Sequence, residues 1–78
     1  MKKVFGENII ADPRIMVGKP VIRGTRIPVD MIIRKLAEGE KVEEILHDYP
    51  RLTKKHIREI LYYAHSLIAK EEKLPLEE

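Results

Sequence analysis

Gly18 to Val29 reads GKPVIRGTRIPV, and this stretch divides the chain into a non-helical first third and a helical remainder. Two glycines and two prolines stand in it beside Lys19, Arg23, Arg26 and the β-branched Val21, Ile22, Thr25 and Ile27. Proline lacks an amide donor and glycine weakens a helix, so the run is shaped, positively charged, extended chain. A linker would be more polar. These residues therefore have a task in the architecture, in binding, or in both.

Toward the N-terminus, residues 1–28 lack helical periodicity and are punctuated by Gly6, Asp12-Pro13, Gly18, Pro20, Gly24 and Pro28. Two β-rich pieces, Asn8 to Ala11 and Val21 to Arg23, are separated by turn chemistry. Gly24-Thr25 fits a two-residue hairpin loop that pairs Ile22 and Arg23 with Arg26 and Ile27, with Pro28 keeping the second strand short. A lone two-stranded ribbon is marginal in water. It is expected to pack on the helices or to pair with the same ribbon of another subunit.

Toward the C-terminus the period changes at Pro28. Val29, Ile32, Ile33, Leu36 and Ala37 form one apolar stripe, and Gly39 stands where a left-handed helix cap belongs. Val42, Ile45, Leu46 and Tyr49 repeat the pattern in a shorter helix that Pro50 stops. Thr53 is a suitable N-cap for a third helix from Lys54 to about Lys70, with Ile57, Ile60, Leu61, Ala64, Leu67 and Ile68 on one face. The expected fold is mainly α: a three-helix bundle over residues 29–70 with a helix-turn-helix, preceded by a β-ribbon over 1–28 and followed by a frayed acidic tail over 71–78.

At 78 residues this is one small domain, in which only about 60% of the unfolded chain's surface can be buried. Such thin cores are often completed by a second copy, so a homodimer is expected. There is no cysteine to supply disulfides or thiolate ligands. Lys2 and Lys3 open the chain as a signal peptide might, but Gly6, Glu7 and Asn8 interrupt before an apolar stretch develops, and no run approaches the roughly 20 residues of a membrane span. A cytoplasmic setting is expected. The charged fraction of 36%, without glutamine and with Asn8 as the only asparagine, fits a heat-adapted protein.

The net charge of +2 hides an asymmetry. Arg14, Lys19, Arg23, Arg26, Arg34 and Lys35 face Asp30 alone between positions 14 and 35, and Arg51, Lys54, Lys55 and Arg58 have no acid among them. Glu40, Glu43, Glu44 and Asp48 lie between these two groups. Concentrated cations suit a polyanion.

Two readings stay open for each basic stretch. A short helix, a tight turn and a longer helix with a basic first turn have the outline of a helix-turn-helix, which would turn Arg51, Lys54, Lys55, His56 and Arg58 toward a major groove. Any small three-helix bundle shares that outline, and the usual turn glycine is missing. Yet four cations at a helix N-terminus oppose its dipole, a cost that points to use. Likewise Lys19, Arg23 and Arg26 could hold phosphates or enter a minor groove. Alternatively, Gly18, Pro20, Gly24, Thr25 and Pro28 only shape the backbone, and the arginines bond within the chain.

Catalysis finds little support. His47, His56 and His65 are nine residues apart, which on the third helix places His56 and His65 on opposite sides. Glu43, Glu44 and Asp48 fall on a solvated helix face, Tyr62 and Tyr63 flank an apolar stripe, and no serine or cysteine has an evident base. No phosphate-binding glycine loop is present. The expectation is no enzyme, no metal and no cofactor.

The pattern IIADPRIMVGKPVIRGTRIPVDMIIRKLAEGEKVEEILHDYPRLTKKHIREILYYA, spanning roughly residues 8 to 68, resembles a bacterial and archaeal family catalogued as domain of unknown function 433. The DP, GKPVIRGTRIPV, EEIL and DYP-L elements carry the likeness, with Gly18, Lys19, Pro20, Arg23, Gly24, Thr25, Arg26 and Pro28 matching. Members resemble VapB-type antitoxins with a homeodomain-like or winged-helix-like fold, some encoded beside PIN-like nucleases. The resemblance implies a dimer that binds its own operator and masks a toxin, although only Lys70 to Glu78 stands where such antitoxins usually have a longer segment. The alternative is a protein-interaction module without DNA binding, using the ribbon and Leu74 and Leu76 of the tail.

Overall fold

The computed structural model describes residues 2–70. The tail reading, with Leu74 and Leu76, lies outside the described residues. Three short strands, β1 (Lys3–Phe5), β2 (Ile9–Ala11) and β3 (Val21–Ile22), precede three helices, α1 (Val29–Ala37), α2 (Val42–Asp48) and α3 (Lys54–Lys70). The strands form one antiparallel sheet in the order β1-β2-β3, and the three helices pack on one another. Among the described residues, no helix is long and apolar enough to cross a membrane.

The sheet departs from the expected ribbon in two ways. It has a third strand, β1, whose Lys3, Val4 and Phe5 pair with Ala11, Ile10 and Ile9. The main partner of β3 is β2 of the same chain, through Ile9↔Ile22 and Ile10↔Val21. The proposed hairpin around Gly24-Thr25 forms only at its base: Ile22 N–H bonds Ile27 O at 3.1 Å, and Val21 bridges Pro28. Arg23 does not pair with Arg26, because its N–H is taken by Asn8 O at 2.6 Å. The ribbon's hydrogen bonds are thus largely met within the chain.

The core is built from Ile9 and Ile22 of the sheet, Val29 and Ile32 of α1, Ile45 of α2, Leu52 of the α2–α3 connection, and Ile57 and Ile60 of α3. Phe5 meets Tyr63 edge-on, with ring centroids 5.2 Å apart, so β1 rests against α3. Two polar ties fix the same contact: Asn8 Nδ2 donates to Glu59 Oε1 at 2.7 Å, and Lys55 Nζ to Glu7 Oε1 at 3.0 Å.

Helix ends follow local chemistry. At the end of α1, Glu40 N–H bonds Lys35 O at 3.0 Å and Gly39 N–H bonds Leu36 O at 3.1 Å, the Schellman pattern, with Gly39 at φ +95°. The Lys35–Glu40 ion pair at 3.3 Å spans that end. At the start of α2, Glu44 Oε1 accepts Lys41 N–H at 2.9 Å. Lysine has no acceptor, so only the acidic half of a capping box exists there.

The apolar face assigned to α3 is narrower than its periodicity implies. Ile57 and Ile60 are buried, but Leu61, Leu67 and Ile68 are exposed, since the short α1 and α2 cover only one flank of the longer helix. A second irregularity lies between β2 and β3: Met16, Val17 and Gly18 have φ of +52°, +57° and +85°, a left-handed turn closed by Gly18 N–H to Ile15 O at 2.9 Å. Val17 at its apex is 95% exposed.

Asp12 is a buried carboxylate at the end of β2. It accepts from Arg14 N–H at 2.9 Å, Nε at 3.2 Å and Nη2 at 3.0 Å, and these bonds lower its pKa from 3.8 to about 2. Its ionised form is favoured in the fold, so its contribution is complete above about pH 4 and is lost as pH falls toward 2. Thermal melts between those pH values should show that loss. Asp12→Asn should be less stable at pH 7 and flatter across the same window.

Candidate nucleic-acid interface

The turn after β3 is locked by one side chain. Thr25 Oγ1 donates to Ile22 O at 2.7 Å and accepts Ile27 N–H at 3.0 Å, while Thr25 N–H bonds Ile22 O at 3.0 Å. Gly24, at φ +78°, supplies the left-handed step. Arg26 follows on this rigid support and is exposed. Pro20 O accepts Val29 N–H at 2.9 Å, and Pro28 occupies the N-cap position of α1, so the run from Pro20 to Val29 is at once strand, turn and helix entry.

The connection between α2 and α3, Tyr49–Thr53, forms a second support. Leu52 N–H bonds Tyr49 O at 2.9 Å, closing a β-turn with Pro50 and Arg51 at its centre. Burial of Leu52 in the core leaves Arg51 exposed. Thr53 then caps α3 as expected: His56 N–H reaches Thr53 Oγ1 at 3.4 Å, and Thr53 N–H donates to His56 Nδ1 at 3.0 Å. His56 therefore takes the part of the glutamate in a capping box, which leaves Nε2 as its free ring nitrogen.

These supports bring two separate basic stretches together. Arg26 and Arg51 line one shallow cleft of about 510 Å³, with Ile10, Ile15, Gly24 and Thr25. No carboxylate lines it. Among the described residues, neither arginine forms a salt bridge, nor do Lys54 and Arg58, which are exposed on α3.

The other candidates are engaged. Lys19 pairs with Asp30 at 3.1 Å, and Arg23 Nε donates to Glu7 O at 2.7 Å. Lys55 bonds Glu7 at 3.0 Å, which raises its pKa. The Lys19 and Lys55 pairs are exposed, and such pairs contribute little and exchange readily with another anion.

Over residues 9–64 the sequence matches the family described as protein of unknown function (DUF433). The chain belongs to that family. In this DUF433 chain every residue lining the cleft of Arg26 and Arg51, and Lys54 and Arg58, fall inside the matched region. A 58-residue stretch is 40% identical to the uncharacterized protein y4eO of Sinorhizobium fredii, covering 74% of this chain and 26% of that protein. A 28-residue stretch is 61% identical to an uncharacterized protein of Archaeoglobus fulgidus, covering 36% of this chain and 78% of the relative. The chain thus spans about a quarter of the length of the Sinorhizobium protein. No solved structure matches it.

Negative charge in this DUF433 domain collects elsewhere. Glu40, Glu43, Glu44, His47 and Asp48 line a cleft of about 530 Å³ beside α2. His47 and Glu43 share that cleft while Arg26 lines the other, so the three do not converge. Among the described residues, no three histidine, cysteine or acidic side chains are grouped to hold a metal. Tyr63 packs inward on Phe5 and Tyr62 is exposed. Ile10 and Ile15, the apolar part of the basic cleft, carry no sequence signal for such a role.

Thr25→Val should remove both hydroxyl bonds at nearly constant volume. It is expected to cost about 1–3 kcal/mol in urea unfolding. Gly24→Ala should also destabilise, because the added Cβ finds open space but not a tolerated φ.

Proposed function

We propose that this DUF433 chain binds DNA through Arg26, Arg51 and the first turns of α3, as an operator-binding autoregulator and the antitoxin of a toxin–antitoxin pair. In this reading α2, the Tyr49–Thr53 connection and α3 act as a homeodomain-like helix-turn-helix, with Lys54, Lys55, His56 and Arg58 at the groove and Lys19 and Arg23 as peripheral phosphate ligands. The observation that carries it is that Arg26 and Arg51, from distant parts of the sequence, line one cleft without an acid. Two guanidinium groups in such a place suit phosphate oxygens.

The helix dipoles support the same choice. α1 and α2 carry acids in their first turns, Asp30 in one and Glu43 with Glu44 in the other, whereas α3 has none and begins with Lys54 and Lys55. Two helices follow the electrostatic preference and the third opposes it. A phosphate backbone offsets that cost. The toxin half rests on the family resemblance, with a PIN-like nuclease as the expected partner.

Fluorescence anisotropy with a duplex from the chain's own upstream region tests the reading. Affinity should fall steeply between about 50 and 200 mM salt, and Arg26→Ala with Arg51→Ala should flatten the salt slope by about one for each phosphate that is no longer held. Lys54→Glu with Arg58→Glu should abolish binding. No binding by folded protein at the lower salt overturns the proposal. The alternative, a protein-interaction module, draws on the exposed apolar residues of α3, and there the charge reversals would be harmless.

A further inference from the structure

Leu61, Tyr62 and Ile68 are 49%, 68% and 67% exposed, on the middle and last turns of α3. At 100° per residue, Leu61, His65 and Ile68 fall within a sector of about 60° that borders the buried Ile57, and Tyr62 widens it on the other flank. Lys54 and Arg58 continue the same stripe toward the helix start. One side of α3 is therefore cationic in its first turns and apolar in its last. Arg58, Leu61, Tyr62 and His65 also line a shallow cleft of about 420 Å³.

We propose that this side of α3 is the contact with a second copy of the chain, the two helices lying antiparallel about a two-fold axis between positions 64 and 65. Leu61 of each copy then meets Ile68 of the partner subunit, a contact made twice, as an isologous interface requires. A large side chain carries on the order of 200 Å² of surface, so the three apolar residues still present roughly 350 Å² per copy. A standard interface buries about 800 Å² per partner, and somewhat over half of that is apolar. The patch supplies most of that apolar share.

Charge selects the direction. Parallel helices would set Lys54 against Lys54 and Arg58 against Arg58 of the partner subunit, with their dipoles aligned. Antiparallel helices move the cations to opposite ends and oppose the dipoles. Lys54 lies ten to eleven residues from the axis, so the two helix starts stand about 32 Å apart at 1.5 Å per residue. One turn of DNA is about 34 Å. This correspondence rests on the DNA-binding reading; the contact itself does not.

Sedimentation of the full chain at micromolar concentration, with cysteine cross-linking, tests the contact. The wild type should sediment as a dimer, and L61E/I68E as a monomer with unchanged circular dichroism. Because the chain has no cysteine, L61C/I68C should close into a covalent dimer under mild oxidation while L61C alone should not. Antiparallel pairing separates the two copies of position 61 by about 10 Å along the helices, beyond the roughly 7 Å disulfide limit. A monomeric wild type, a dimer that survives L61E/I68E, self-linking of L61C, or a different protein captured on this face by the monomer each overturns the proposal. A cross-linked dimer that ignores DNA sinks the DNA reading alone, and a monomer that binds DNA sinks the dimer proposal alone.

Discussion

Ile22 is the residue on which the architecture turns. Its side chain is buried in the core, its N–H is held by Ile27 O, and its carbonyl accepts both the amide and the hydroxyl of Thr25. Its strand position is registered on Ile9. One residue thus joins the sheet to the helical core and fixes the turn from which Arg26 projects. A backbone carbonyl bonded twice beside a buried isoleucine leaves little freedom, so the arginine's support is inherited from core packing rather than from surface contacts.

Local chemistry also sets the acidic start of α2 apart from the basic start of α3. α2 is short, and acids in its first turn and Glu44 at its cap stabilise it, so negative charge collects there. α3 is capped by the side chains of Thr53 and His56, which take up two amides without a carboxylate. That choice keeps the helix start cationic while still closing it. Surface charge and helix termination are met by different atoms of the same four residues, 53–56.

Much of this is legible in the sequence for identifiable reasons. The helices announce themselves through apolar spacing, and Gly39, Pro50 and Thr53 mark their ends, all local effects. Strand β1 does not, because three residues carry no usable periodicity and its pairing depends on Ile9–Ala11 being in place. The apolar stripe on α3 is wider in the sequence than the buried face in the fold, since periodicity tells which residues share a face but not how far neighbouring helices reach across it. That Arg26 and Arg51 line one cleft cannot be read at all: they are 25 positions apart, and their supports share a core only because Ile22 and Leu52 are buried together.

The ties between the two ends of the domain set the order in which it can be completed. Asn8 to Glu59 spans 51 positions and Lys55 to Glu7 spans 48. During synthesis the sheet leaves the ribosome long before α3, and the inner faces of Ile9 and Ile22 have no final cover until Ile57 and Ile60 arrive. Closing a loop of that length costs entropy that no early contact offsets. The first strands made are therefore the last to be secured, since the inner faces of Ile9 and Ile22 wait for a helix about 35 to 51 positions downstream.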